Sequence, residues 1–286
     1  MSPEVAVVTD STAYLSPEDI DTSGVRVVPL QVLLGSRTGA EGTDFLPTDV
    51  ATALLDRRLR VTTSRPTPAD FARAYADAFA GGATGVLSVH LSGELSGTWQ
   101  SAALAAKEAT GQVRVLDSRS TAMGLGFAVL AAAECAAAGG SLDEVYEAAQ
   151  DCVRRTSMLF YVDTLEYLRR GGRIGATAAI LGTALSVKPI LHLLDGGIVL
   201  LEKVRTPGRG LTRLEELAAE AADGCMVDIA VHHLAAPERA TSLSDRIRAR
   251  LPKLRRLIVS ELGAAVGAHV GPGVLGVVIV RESTPR

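Results

Sequence analysis

The sequence predicts an α/β protein of two domains, with a doubly wound, mostly parallel sheet in residues 1–155 and an α+β domain in 156–286. Three observations lead there. Short β-branched apolar runs alternate with Ala-rich helical runs up to Arg155, which is the rhythm of a doubly wound sheet. Beyond Arg155 that rhythm gives way to adjacent strand-like runs around a tight turn. The 286 residues are 47% hydrophobic but only 4% aromatic, so Ala, Val, Leu and Ile must build the cores, as suits parallel strands buried under Ala-rich helices.

Val5–Asp10 reads as a buried parallel strand ending in Asp10-Ser11-Thr12. An acid at a strand's carboxyl end either faces a ligand or ties down a loop. Ser16-Pro17-Glu18-Asp19 has the form of a helix cap. Val25–Leu34 is a second strand, followed by a polar, Gly-rich connection through Thr43 and a helix over Pro47–Leu59 with Pro in its first turn. Thr62-Thr63-Ser64-Arg65-Pro66-Thr67-Pro68 is a hydroxyl-rich loop stiffened by its prolines, and it leads into a helix over Ala69–Ala80.

Gly85–Val89 is a strand, and the stretch Leu91–Ala102 reads as the strand-loop-helix junction that follows it. Ser96 or Thr98 is the expected N-cap of a helix running through Ala109. The amides of such a first turn, with the helix dipole behind them, favour a carboxylate or phosphate, although Ser-Gly-Thr more often simply caps a helix. Val113–Ser118 is another strand ending in Asp-Ser. A long Ala-rich helix then runs to Gly139-Gly140, and Ser141 with Glu144 form a capping box for the next.

In the second domain Met158–Val162 is a strand, Asp163–Arg170 a short helix, and Gly171-Gly172-Arg173-Ile174 its cap and exit. Leu181–Val187 is expected to line an apolar space. Pro189–Leu194 and Ile198–Lys203 flank Asp195-Gly196-Gly197, a hairpin signal. Helices over Thr212–Ala222 and Pro237–Leu251 and strands over Val227–His232 and Leu257–Glu261 follow. The segment Gly263–Gly276 surrounds His269 with glycines, which permits close approach of backbone to a ligand. His232 and His233 lie on opposite faces of one strand and do not chelate as a pair; they read as structural, as do His90 and His192.

Several classes are disfavoured. A net charge of −3 without a basic stripe argues against a nucleic-acid partner. Cys135, Cys152 and Cys225 have neither zinc-site spacing nor even number, so a reduced cytoplasmic setting without metal is expected. The N-terminus lacks the form of a signal peptide, and the apolar run Ala122–Ala133 is too short to span a bilayer. Walker A, nucleophile-elbow, dinucleotide and H-E-x-x-H motifs are all missing. What remains is a set of hydroxyls, Thr63, Ser64, Ser92, Ser96 and Thr98, together with His269, on loops shaped by Gly and Pro.

In order, Thr63-Ser64-x-Pro66, Leu95-Ser96-Gly97-Thr98-x-Gln100-Ser101-Ala102, Asp117-Ser118, Asp163-Thr164-Leu165-x-Tyr167-Leu168-x-x-Gly171-Gly172-Arg173-Ile174, Lys188-Pro189-Ile190, Lys203-Val204-Arg205-Thr206 and His269-x-Gly271-Pro272-Gly273 resemble the DegV family of bacterial fatty-acid-binding proteins. The resemblance implies a non-enzymatic carrier that buries a long-chain fatty acid between two domains. Such a carrier presents the carboxyl group to a separate fatty acid kinase, which makes an acyl-phosphate for phospholipid synthesis. No cofactor is implied beyond the bound lipid, and transient membrane contact is compatible with the role. By motif position Thr63, Ser96 and His269 would hold the carboxylate, with Ser64, Ser92 and Thr98 as additional head-group candidates, and Arg205 would face the kinase. The chain departs from the family pattern at Arg65 and Thr67, where Gln and Ser are usual, at Gly93, where a second Ser often sits, and at Val270, where Thr is common. Neutral hydroxyl donors would satisfy a buried carboxylate while leaving an oxygen free for transfer, where a rigid Arg clamp would compete with it.

Two other classes fit the same residues. One is a serine esterase or thioesterase with Ser96 as nucleophile, His269 as base and Asp10 or Asp117 as orienter. The other is a lipid-sensing regulatory protein.

Overall fold

The computed structural model describes residues 4–56, 60–175 and 188–283. The chain opens with β1 (Val5–Asp10), α1 (Pro17–Ser23), β2 (Arg26–Val28), β3 (Gln31–Leu34), β4 (Arg37–Ala40), α2 (Pro47–Leu55) and β5 (Val61–Ser64). The expected strand over Val25–Leu34 is interrupted at Pro29, whose missing N–H cannot continue a ladder, and so becomes β2 and β3. Next come α3 (Pro68–Ala80), β6 (Gly85–His90), α4 (Thr98–Lys107), β7 (Gln112–Asp117), α5 (Met123–Ala137) and α6 (Leu142–Arg154). Thr67 caps α3 by accepting from the Asp70 amide, and Ser141 with Glu144 form the expected box at α6.

The remaining elements are β8 (Thr156–Tyr161), α7 (Glu166–Arg170), β9 (Lys188–Leu194), β10 (Gly197–Val204), α8 (Pro207–Ala222), β11 (Val227–His233), α9 (Pro237–Arg250), β12 (Leu254–Glu261), α10 (Ala264–Val270) and β13 (Leu275–Arg281). The hairpin between β9 and β10 turns at Asp195-Gly196, both at positive φ. Helix α8 starts earlier than expected because Thr206 caps it and Pro207 takes its first position. The expected apolar lining at 181–187 lies outside the described residues.

Packing divides the chain into two compact units, Met1–Gln31 with Ser64–Arg154 and Val32–Thr63 with Arg155–Arg286. The sequence reading places Val32–Thr63 in the first domain, and the packing assigns it to the second. The reason lies in that segment's long-range bonds. Its strands form a 3-stranded sheet ordered β4-β3-β5, and the buried Glu41 accepts the Ala265 amide at 2.6 Å at the start of α10.

In the first unit a 4-stranded sheet runs β2-β1-β6-β7, every pair parallel. Strand alternation sends Val5, Val7, Leu87 and Val89 to a core with α5 and α6, and Val8 and Val86 to a core with α3 and α4. Helices therefore cover both faces, as a doubly wound sheet requires.

In the second unit a 6-stranded sheet runs β10-β9-β8-β13-β11-β12, in which only β11 and β12 pair in parallel. Leu159, Tyr161, Val231, Val277 and Ile279 form one core with α8 and α9. Strand β13 sits in the middle of this sheet and α10 carries His269, yet the sequence reading assigns neither: the Gly-rich segment around His269 lacks helix propensity, while the β-branched run Val277–Val280 is passed over. Among the described residues no helix is long and apolar enough to cross a membrane.

Candidate functional site

The second unit holds a cavity of about 630 Å3 lined in part by Arg60, Thr63, Tyr167, Arg170, Arg173 and His269. Thr63 is half-buried on β5, where burial alternates, while its neighbours Thr62 and Ser64 are exposed. Its hydroxyl lies 3.1 Å from His269 Nε2. Ser64, a candidate head-group donor by sequence, is not brought to this pair.

His269 is positioned by backbone that no other residue type could supply. Its ring occupies the place a Cβ on Gly171 would take, and the Tyr167 ring does the same at Gly271. Asp163 stands likewise against Gly273. Asp163, Tyr167 and Gly171 are spaced four apart, and Gly273, Gly271 and His269 two apart in the opposite direction, so the two motifs interlock pair by pair.

Burial, and then the nearby Arg173 charge, push the His269 pKa down to about 4. The imidazole is thus neutral near pH 7 and shares a hydrogen bond with Thr63 as a neutral group. Among the described residues Nδ1 has no hydrogen-bond partner. Arg173 donates to the Gly171 carbonyl at 2.7 Å, and Arg170 pairs with Glu166 at 2.5 Å. Arg60 and Arg170 received no role in the sequence reading, and the Arg-rich run before Thr62 and the arginines flanking Gly171-Gly172 were the available signals.

In the first unit Ser96 is half-buried, with its Oγ 2.9 Å from Thr98 Oγ1 and accepting the Thr98 amide at 3.3 Å. The N-cap of α4 is Gly97, not Ser96 or Thr98, because Gly97 O accepts the Ser101 amide to close the first turn. Ser96 serves the same helix from one residue further out. Thr98 is fully buried beneath it. Ser92 is also fully buried, and its hydroxyl accepts the Glu94 amide to shape the loop. Arg65 lies over Gly97, which brings a cation beside the Ser96–Thr98 pair.

Asp10 and Asp117, the two orienter candidates of the esterase reading, are each bonded within their own unit. Asp10 binds His90 Nδ1 at 3.0 Å, and Asp117 accepts the Gly93 and Arg119 amides, so both carboxylates tie down loops of their own unit. Arg205 is exposed beside Lys203 and Arg209, around a groove of about 550 Å3. Among the described residues no group of His, Cys, Asp and Glu could hold a metal ion.

A family model described as "Uncharacterised protein, DegV family" matches residues 4–282. The chain belongs to the DegV family. A DegV domain-containing protein of Streptomyces coelicolor is 56% identical, over 98% of this chain and 99% of its own length. A fatty-acid-binding DegV family protein from Thermus thermophilus has a solved structure that superposes with a TM-score of 0.92 at 35% identity, covering 97% of this chain and 99% of that one. DegV from Bacillus subtilis, a fatty acid binding protein, gives 0.90 at 32% identity over 98% and 100%. The mixed α/β architecture, parallel in its N-terminal region, is that of the DegV structures.

Two outcomes follow from this geometry. Gly171→Ala should displace the His269 ring and cost about 1 to 3 kcal/mol in denaturant unfolding, and wild-type stability in that variant would mean the ring is not held as described. The second concerns acid. His232, fully buried on β11, also has its pKa pushed down to about 4 by burial, against an ordinary 6.5. Unfolded chain takes up protons that the folded chain refuses, so stability falls as pH drops from 6.5 toward 4. At pH 5 the share of His232 is about 2 kcal/mol. Urea unfolding at pH 7 and pH 5 should show a smaller acid loss in His232→Asn than in wild type.

Proposed function

We propose that this DegV protein binds a long-chain fatty acid and holds its carboxylate with the hydroxyl of Thr63 and the neutral imidazole of His269. The observation that carries this reading is their 3.1 Å pairing in a cavity edged by Arg60, Arg170 and Arg173. It is supported by fatty acid binding in the Thermus thermophilus and Bacillus subtilis relatives, which match this chain almost end to end. Ser96 carries the same role by motif position, and the buried Thr98 hydroxyl beneath it holds its orientation.

The energetics suit a carrier. A sixteen-carbon chain buries about fourteen methylenes at ~0.8 kcal/mol each, roughly 11 kcal/mol gross from the tail. The head group needs only to orient the acid. A neutral Thr–His pair leaves the carboxylate exchangeable, while the guanidinium groups attract the anion over a longer range. The second part of the proposal is presentation of that carboxyl group to a separate fatty acid kinase, with acyl-phosphate passing to phospholipid synthesis. The exposed Arg205, Lys203 and Arg209 form a cationic patch suited to docking an acidic partner surface.

Protein purified from a bacterial host should release one fatty acid per chain on denaturing extraction and mass spectrometry. Thr63→Val and Ser96→Ala should each weaken rebinding by about 1.5 to 3 kcal/mol without abolishing it, and unchanged affinity in both would remove the head-group assignment. Arg205→Ala should keep lipid affinity and thermal stability but slow acyl-phosphate formation with the cognate kinase, most at low ionic strength where steering is strongest. Wild-type rates at low salt and limiting carrier would place the docking surface elsewhere.

A further inference from the structure

The first unit contains a Ser-His-Asp array that the proposed head-group chemistry does not use. Strands β1 and β6 are parallel neighbours in register at Thr9 and Val89, so the next residues, Asp10 and His90, lie side by side at the strands' carboxyl ends. Asp10 Oδ2 is 3.0 Å from His90 Nδ1, and His90 Nε2 is 2.6 Å from Ser88 Oγ. Ser88 in turn accepts from the Tyr75 hydroxyl at 2.9 Å. Asp10, Ser88 and His90 are 0% exposed, Tyr75 is 1% exposed, and the Phe71 ring stands edge-on to the imidazole. Substrate cannot reach this serine, so hydrolysis is not what the array is for.

Donor bookkeeping gives the array a direction. A carboxylate only accepts, so His90 Nδ1 carries the hydrogen toward Asp10. Nε2 then accepts from the Ser88 hydroxyl, and the Tyr75 hydrogen, retained because burial raises the Tyr75 pKa to about 12, is shared between Ser88 Oγ at 2.9 Å and Ala102 O at 3.3 Å. The Ser88 and His90 hydrogens then point toward Asp10. The carboxylate has further donors in the amide and hydroxyl of Thr12 and, at 3.0 Å, the amide of Leu91.

Leu91 is the first residue of the loop that carries Ser96. Beyond it Ser92 N–H donates to Ser120 O and Gly93 N–H to Asp117. The Glu94 amide donates to Ser92 Oγ, and the Leu95 and Ser96 amides donate to Ser92 O. The loop is therefore braced internally through Ser92 and tied to Ser120 and Asp117, and Asp10 holds its entry point. We propose that the chain Tyr75–Ser88–His90–Asp10 positions the Leu91–Gly97 loop, and so acts as a positioning device for the Ser96 hydroxyl in ligand binding. This rests on the reading that Ser96 holds the fatty acid carboxylate.

The test is a double-mutant cycle on delipidated full-length protein, with palmitate affinity measured by isothermal titration. Ser88→Ala should weaken palmitate binding by about threefold or more in the native background and cause no further loss in Ser96→Ala. Equal losses in both backgrounds would reduce the chain to a structural role and overturn the proposal, as would full affinity in Ser88→Ala. Tyr75→Phe completes the same cycle should Ser88→Ala not fold. Nitrogen-15 NMR of the native protein should show His90 protonated at Nδ1 with Nε2 bare, and the opposite tautomer would also overturn the proposal. Failure of the underlying function reads differently, because the wild-type protein would then take up no palmitate, whereas an unaffected Ser96→Ala beside a weakened Ser88→Ala would overturn the proposal and leave fatty acid binding standing.

Discussion

Side chains cannot stand on Gly171 or Gly271 without expelling His269 or Tyr167, and this exclusion governs how α7 meets the turn after α10. Because the contacts are ring against backbone, they set position more tightly than a polar contact between two flexible side chains would. Imidazole orientation follows. With the Nδ1 side against Gly171, Nε2 is the atom left to meet Thr63. Glu41 holds the other end of α10 through the Ala265 amide, so a helix of weak intrinsic propensity is clamped at both ends and presents His269 in one place.

Charge is handled differently in the deep core and near the surface. Asp10 is buried among hydrogen-bond donors from Thr12, Leu91 and His90, which hold the carboxylate without a Lys or Arg. Asp228 and Glu215, nearer the surface, take guanidinium partners in Arg255, Arg246 and Arg250. At the Thr63 cavity the two styles coexist. Arg173 helps to keep His269 uncharged, and with Arg60 and Arg170 it gives the cavity a positive potential. The sequence reading, built on hydroxyls and His269, gives these arginines no place beside the Thr63–His269 pair.

Local spacing was enough for much of the fold. Alternation of β-branched residues marked β1 and β6, Ser141 with Glu144 marked the start of α6, and Asp195-Gly196 marked the hairpin, because each signal acts within a few residues of itself. The ordered motifs from Thr63 to Gly273 made the DegV family legible for the same reason: each is a short run whose residue types survive inspection one at a time.

Tertiary structure decided the rest. Helix α10 was not legible, since Glu41 lies 224 positions from the amide it accepts, whereas β13 carries a local signal in Val277–Val280 that the sequence reading left unassigned. The transfer of Val32–Thr63 to the second unit has the same origin in long-range pairing. Sequence placed Thr63 and His269 in one list of candidates, but their hydrogen bond spans 206 positions and exists because β5 turns one face toward α10 while Gly171 leaves room for the ring. The sequence by itself determined which residues carry donors, turns and caps, because those properties belong to neighbours along the chain. Which donors meet was decided only by strand order and close backbone approach, which depend on residues far apart in sequence packing against one another.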